Sequence, residues 1–525
     1  MTIKIFPLAG LISIILWKSF SSFTYVQNSE TNRDKGQELY LRYCAICHLR
    51  PDPKSLSKEI WRNNVLPAMA TRMGIVYPGI DPLGGLSKEE QEVINKNHII
   101  PSQPLLSFDE WQQLVDYIVE NAPESIPVDE ERLTRNLPLK NFVAHDIKLE
   151  DEKPSLITSL KYNNETKTLW FGDYYNSVYT WQYPKGIINE VKTNSPTVDF
   201  SFDHDKTYFT EIGSLYPTEL STGSFVKYEN GNSSTLLSSL HRPVNSVVED
   251  LDDDGEPEFI VCNYGNRIGS LSLFTKDDSD GYSEKVLFGM PGAINCQVKD
   301  IDGDGKKDII AMFAQGDESV YIFYQKDNLK FKNKRILRFP PHYGTTDMVL
   351  TDYNQDGFTD IITVHGDNAD YSNILKPYHG IRIHLNNGKG SFNESFFYPI
   401  YGVTKVLAED FDKDGDIDLV ATAFFPDFNE LVDESFLYLE NIDSEEFKFK
   451  SYNLNRNIPI KSLALIKADV DGDGDMDVVA GHFADTPSRS VPKSVDDKFH
   501  SANYGLTVFI NQLHKRGESS GFPGY

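Results

Sequence analysis

The chain has 525 residues with 39% hydrophobic and 25% charged side chains, which fits two or three globular domains and excludes a polytopic membrane protein. Its 78 acidic against 51 basic residues give a formal charge of −27, a field that repels a phosphate backbone and argues against nucleic acid as a partner. Aromatic residues make up 12% of the chain, which favours sheet over helical bundles.

Residues 1–26 read as an export signal or N-terminal anchor. Lys4 precedes an apolar run from Ile5 to Trp17, and Ser19-Phe20-Ser21 or Ser22-Phe23-Thr24 offers small residues at cleavage spacing. That run is shorter than the roughly 20 residues that span a bilayer, so cleavage is favoured and the mature chain is expected outside the cytoplasm. No Cys lies near the end of the run, so lipoprotein processing has no acceptor.

Residues 30–122 read as a small all-α domain. Ser87-Lys88-Glu89-Glu90 and Ser107-Phe108-Asp109-Glu110 fit the capping box, in which Ser and Glu satisfy reciprocal backbone N–H groups. The second box opens a helix with Trp111, Leu114, Val115 and Ile118 on one face, and Pro123 ends it. Residues 123–149, rich in Pro and charge at their start, are expected to be a linker.

Within the helical region stands Cys44-Ala45-Ile46-Cys47-His48. Two thiols and an adjacent imidazole within five residues suit thioether attachment and axial ligation of one covalent haem c. A redox dithiol would want a strand–helix context, and zinc would want a second ligand pair; the region has neither. A thioether is expected as the sixth iron ligand, with Met69 first because Leu66-Pro67 fixes its backbone, Met73 second and His98 a minor alternative. Pro51 or Pro53 is expected in the loop that supports His48, whose second ring nitrogen needs an acceptor. With Gly36-Gln37-Glu38-Leu39-Tyr40 before the motif and the closing helix after it, the region resembles class I cytochromes c. The run from Cys47 through Pro51, Pro53 and Trp61 to Met69 is similar to haem domains fused to repeat propellers in secreted proteins of Bacteroidetes-like bacteria.

From residue 150 the hydrophobic period becomes two, and a unit repeats. Apolar alternation, an acidic loop and a β-branched run recur with first acids at 250, 300, 352, 410 and 469. Weaker copies lie at Val198–Asp203 and Ile157–Gly172. Seven units of about fifty residues would fill 150–515, the signature of an all-β seven-bladed propeller; a linear solenoid is the competing arrangement. A ring closed by one chain is expected to be monomeric. Cys262 and Cys296 are either a disulfide or two buried thiols.

The loops follow Asp-x-Asp-x-Asp-Gly-x-x-Asp, with oxygens at positions 1, 3, 5 and 9 and a Gly that permits the turn. Hard oxygen donors in this number suit Ca²⁺, at up to five sites. The expected ligand sets are Asp250, Asp252, Asp254 and Glu258; Asp300, Asp302, Asp304 and Asp308; Asp352, Asn354, Asp356 and Asp360; Asp410, Asp412, Asp414 and Asp418; and Asp469, Asp471, Asp473 and Asp477. The loops resemble the FG-GAP (VCBS-type) repeats of integrin α propellers, with Phe288-Gly289-Met290-Pro291-Gly292-Ala293 a loose version of the name-giving motif. That resemblance implies calcium ions that brace blades and do not catalyse.

Asn263, His365, Asp367, Asp427, His482 and Asp485 follow second strands and are candidates for a shared central pocket. The expected function is extracytoplasmic electron transfer by a bacterial c-type cytochrome, with a propeller that binds a partner, a cell-surface protein or a polysaccharide. The redox partner is unspecified. Two alternatives stay open: a propeller dehydrogenase that reduces the haem, and a surface adhesion protein. An electron carrier with a binding domain is favoured over a substrate-converting enzyme.

Overall fold

The computed structural model describes residues 29–513 apart from 78–80, 129–131, 134, 150–152, 370–373, 455, 457–458 and 486–490. The expected export signal therefore lies outside the described residues. Among those described, no helix is long and apolar enough to cross a membrane.

Residues 29–121 are helical, with Ser29–Tyr43, Leu66–Arg72, Lys88–Lys96 and Phe108–Asn121 as the main segments. Both capping boxes form, and Ser107 and Glu110 exchange hydrogen bonds of 3.0 and 3.3 Å with each other's backbone N–H. Trp111, Leu114, Val115 and Ile118 are buried in one cluster with Leu39, Tyr40, Trp61 and Leu66. The first and last of these helices cross at Gly36, where an added Cβ would stand 2.5 Å from Gln113 O. Gly36→Val is therefore expected to force the two helices apart and lower the midpoint of helical unfolding, followed by far-UV circular dichroism.

The remainder is a seven-bladed propeller of four-stranded antiparallel sheets, with one blade carrying an extra strand. Blades 1 to 7 start at their innermost strands Ile157–Asn163, Thr197–Asp203, Pro243–Glu249, Ala293–Lys299, Thr345–Thr351, Val403–Glu409 and Ser462–Ala468. Each innermost strand packs on the next, and the seventh packs on the first. This closed ring rules out the solenoid. The two degraded repeats still make full blades, because alternating burial of Phe200, Phe209 and Phe171 survives where the acidic loop does not.

The expected linker is corrected. Phe142–Lys148 is the outermost strand of blade 7, antiparallel to Tyr504–Asn511, and Leu137–Pro138 pairs in parallel with Lys448–Asn453 of blade 6. Both strands belong to the propeller, which therefore begins near residue 137 and not at 150. Arg132 holds the approach to them, its guanidinium 2.6 Å from buried Glu434 and stacked 3.6 Å over Tyr401. Cys262 and Cys296 are buried free thiols, both hydrogen-bonded to Asn245 Oδ1.

Candidate functional site

The helix Ser29–Tyr43 delivers Cys44, whose N–H still bonds to Tyr40 O at 3.1 Å. Cys44 is half-buried against the cluster that also packs Met69 and Met73, Cys47 is exposed, and both thiols are free. Burial pushes the Cys44 thiol up to about 12, against the opposing pull of Arg50. His48 Nδ1 lies 2.9 Å from Leu49 O. The backbone acceptor is thus Leu49 and not a proline: Pro51 O accepts from Tyr40 OH, and Pro53 O accepts from Trp61 Nε1, each at 2.8 Å. The two prolines shape the loop by anchoring those aromatic side chains. His98 is exposed at the turn after Lys88–Lys96. The donor set fits a covalent haem: two unpaired thiols, and an imidazole whose Nδ1 is held by a carbonyl so that Nε2 can face a metal.

The helical body rests on the propeller face formed by the connections between second and third strands. Tyr378 OH of blade 5 donates to Ser55 O at 2.9 Å, and Thr218 Oγ1 of blade 2 donates to Glu90 at 2.8 Å. Ile374 packs into the helical cluster itself. Beside this contact stands His342, in the connection that enters blade 5. Its ring packs on Tyr343 and Tyr378, at 5.4 and 4.8 Å between centroids. Burial, then Lys376, then His48 lower the His342 imidazole to about 3. No motif marks His342, although His342, His365, His379 and His384 place four of the chain's 12 histidines in one blade.

The acidic loops join first to second strands and so occupy the opposite face. In the first four, the position-1 carboxylate accepts the N–H groups of positions 5 and 6; for Asp250 these are Asp254 at 3.1 Å and Gly255 at 2.9 Å. Position 6 has φ between 84° and 103° in all five loops, which only Gly adopts without strain. Three carboxylate oxygens lie within 4.8 Å of one another in four loops, drawn from Asp250, Asp252 and Asp254; Asp300, Asp302 and Asp304; Asp410, Asp412 and Asp418; and Asp469, Asp471 and Asp477. Glu258 and Asp308, like Asp414 and Asp473, are outside these groups, so the expected four-acid sets do not converge whole. The loop of Asp352, Asn354, Asp356 and Asp360 is also outside them; Asn354 turns its amide to Asp356 at 3.1 Å.

The position-9 acid has a second task. Asp308, Asp360, Asp418 and Asp477 are fully buried, and each accepts the N–H of position 2 and of a third-strand residue: Gln325, Asn386, Asn441 and Asn511 at 2.7 to 2.8 Å. Sequence reading missed these residues, whose signal is an Asn or Gln at or near the end of the third strand in blades 4 to 7. Three of them also reach back a blade through their side chains, Gln325 to Leu251 O and Asn511 to Phe411 O, both at 2.8 Å, and Asn441 to Tyr353 OH at 3.0 Å. Burial first, and then the like charges of the loop, raise Glu258 and Asp418 to about 7 and Asp477 to about 8.

The expected central pocket is not built by its six candidates. Asn263 bonds Ser270, His365 bonds Thr345 and Thr363, and His482 bonds Thr507, all within their own blades. Asp367 and Asp427 cap their own turns, and Asp485 meets His500. A second strand is separated from the channel by the innermost one, so these side chains serve their blades.

A family model described as an FG-GAP-like repeat matches residues 300–363, from the acidic loop of blade 4 through its remaining strands into the start of blade 5. No curated protein matches the chain. Among solved structures, the WD40 domain of Neurospora crassa Pan2 is 11% identical with a TM-score of 0.41, over 70% of this chain and 92% of that one. The WD40 β-propeller domain of Doa1 is 11% identical with a TM-score of 0.35, over 56% and 81%. The seven-bladed architecture rests on the strand pairing and not on these likenesses.

Proposed function

We propose that this chain is an extracytoplasmic electron-transfer protein that carries one covalent haem at Cys44, Cys47 and His48. Its propeller is braced by Ca²⁺ and binds the partner. The observation that carries the reading is the arrangement of the motif: free thiols on Cys44 and Cys47, and a His48 ring held through Nδ1 by Leu49 O. A haem bound there supplies reversible one-electron transfer. Cys44 and Cys47 fix its position, His48 presents Nε2, and the cluster around Leu66 and Trp111 keeps water from one side. The acidic loops lie on the far face, so cations there act on the fold and not on the redox site. A propeller with an FG-GAP-like repeat also supports a binding role by itself, and adhesion is the second reading.

The test is production of the whole chain with its export segment in a host that matures c-type cytochromes. The expected result is covalent haem, read as a mass increase and a reduced-minus-oxidised spectrum, lost when Cys44→Ala and Cys47→Ala are combined. Matured protein without covalent haem, still binding its surface partner, would sink electron transfer and leave adhesion.

A further inference from the structure

Resting on that haem reading, we propose that the second axial ligand of the iron is His342 of the propeller, and not Met69 or Met73 of the helical body. Three observations converge on it. The helical body is held against blade 5 by the Tyr378 to Ser55 hydrogen bond of 2.9 Å and by Ile374, which enters the same cluster as Cys44. The His342 ring packs on Tyr378 at 4.8 Å between centroids, so it stands at that contact, against the side chain that reaches Ser55. His342 Nδ1 is buried and has no hydrogen-bond partner among the described residues. A buried ring nitrogen left without a partner is destabilising, and such an atom calls for an explanation.

Its neighbours do not offer the same explanation. His379 and His384 also hold one unpartnered ring nitrogen, but both are sealed in the blade at 1% exposure. His365 is bonded at both nitrogens, to Thr345 and Thr363 at 2.9 Å. His342 alone of the four keeps some surface, and it packs on Tyr378, which bonds the helical body. Tyr343 and Tyr378, stacked at 5.4 Å, pack against its ring and fix its plane. Met69 and Met73 are accounted for as packing around the helical core.

A ligand from the propeller ties the redox centre to the larger domain. Displacing the helical body from blade 5 would then change the haem's spin state and potential, so a partner that binds this edge would be sensed at the iron.

The whole matured protein is examined as ferric and ferrous haem by optical and electron paramagnetic resonance spectroscopy, with the midpoint potential. The expected wild-type spectrum is low-spin with two nitrogen ligands, and it lacks the thioether charge-transfer band. His342→Gly is expected to become high-spin and to recover the low-spin spectrum on addition of imidazole, which distinguishes a lost ligand from a misfolded chain. Met69→Leu and Met73→Leu are expected to leave spectrum and potential unchanged. Low-spin haem in His342→Gly without imidazole, or loss of the low-spin spectrum in either Met variant, overturns the assignment while the haem reading stands. Absence of covalent haem from the wild type overturns both.

Discussion

A chain begun at residue 150 is expected to unfold at a much lower denaturant concentration than one begun at residue 124, and to associate. The reason is closure. Without Phe142–Lys148, the strand Tyr504–Asn511 of blade 7 becomes an exposed edge, and unpaired edges recruit other chains. Phe142 also leaves the cluster in which its ring meets Phe411 and Tyr438 at 5.7 and 5.4 Å. A point change isolates the anchor. Glu434 receives Arg132 at 2.6 Å and Arg135 at 3.0 Å, and the Arg132 and Glu434 side chains are only 2% and 1% exposed. Removing one partner of such a pair strands a buried charge, so Glu434→Ala should cost about 3–5 kcal/mol. Urea unfolding followed by tryptophan fluorescence and size-exclusion chromatography measures both effects. Coincident curves for the two truncations would show that the N-terminal strand adds nothing to closure.

Removal of divalent cations is expected to lower the thermal midpoint of the propeller, with a larger fall at pH 8 than at pH 5. The sign follows from the buried acids. Asp477 is held at about 8 against an ordinary 3.8, and Asp418 at about 7, by burial and then by the carboxylates around them. An acid whose pKa is raised on folding stabilises the fold while protonated, and that contribution is lost as pH rises from about 4 through about 8. Without metal, stability from these groups therefore falls over that window. Ca²⁺ bound there would take the proton's place, adding about 4 kcal/mol per site when its concentration is a thousandfold above Kd. Calorimetry with EDTA or excess calcium at several pH values gives the difference directly. A calcium effect that is absent, or that grows toward acid, would refute the loops as cation sites. Asn354→Asp should raise the affinity of the third loop by returning a carboxylate to it.

Much of this protein is legible from neighbouring residues. The Gly at position 6 of each acidic loop, the Ser–Glu capping boxes and the apolar face of Trp111, Leu114 and Ile118 are local patterns, and their physics is complete within a few residues. The five first acids at 250 to 469 set the blade register in the same way, since each loop repeats one backbone geometry. The proposal of a haem at Cys44, Cys47 and His48 is likewise local, because all three donors lie within five residues.

What tertiary structure decided is everything whose partner is remote in the chain. Phe142–Lys148 reads as linker because its pairing with Tyr504–Asn511 spans more than three hundred residues and copies no repeat. The position-9 acids read as plain ligands, yet their hydrogen bonds to third-strand N–H groups depend on how each blade folds back. Asn263, His365 and His482 shared a repeat position that suggested a common pocket, and the innermost strands took that place. His342 lies 294 positions beyond His48, so only the docking of the helical body on blade 5 brings their two segments to one contact. Local geometry is written in local spacing; closure, docking and the company a ring nitrogen keeps depend on which surfaces bury each other.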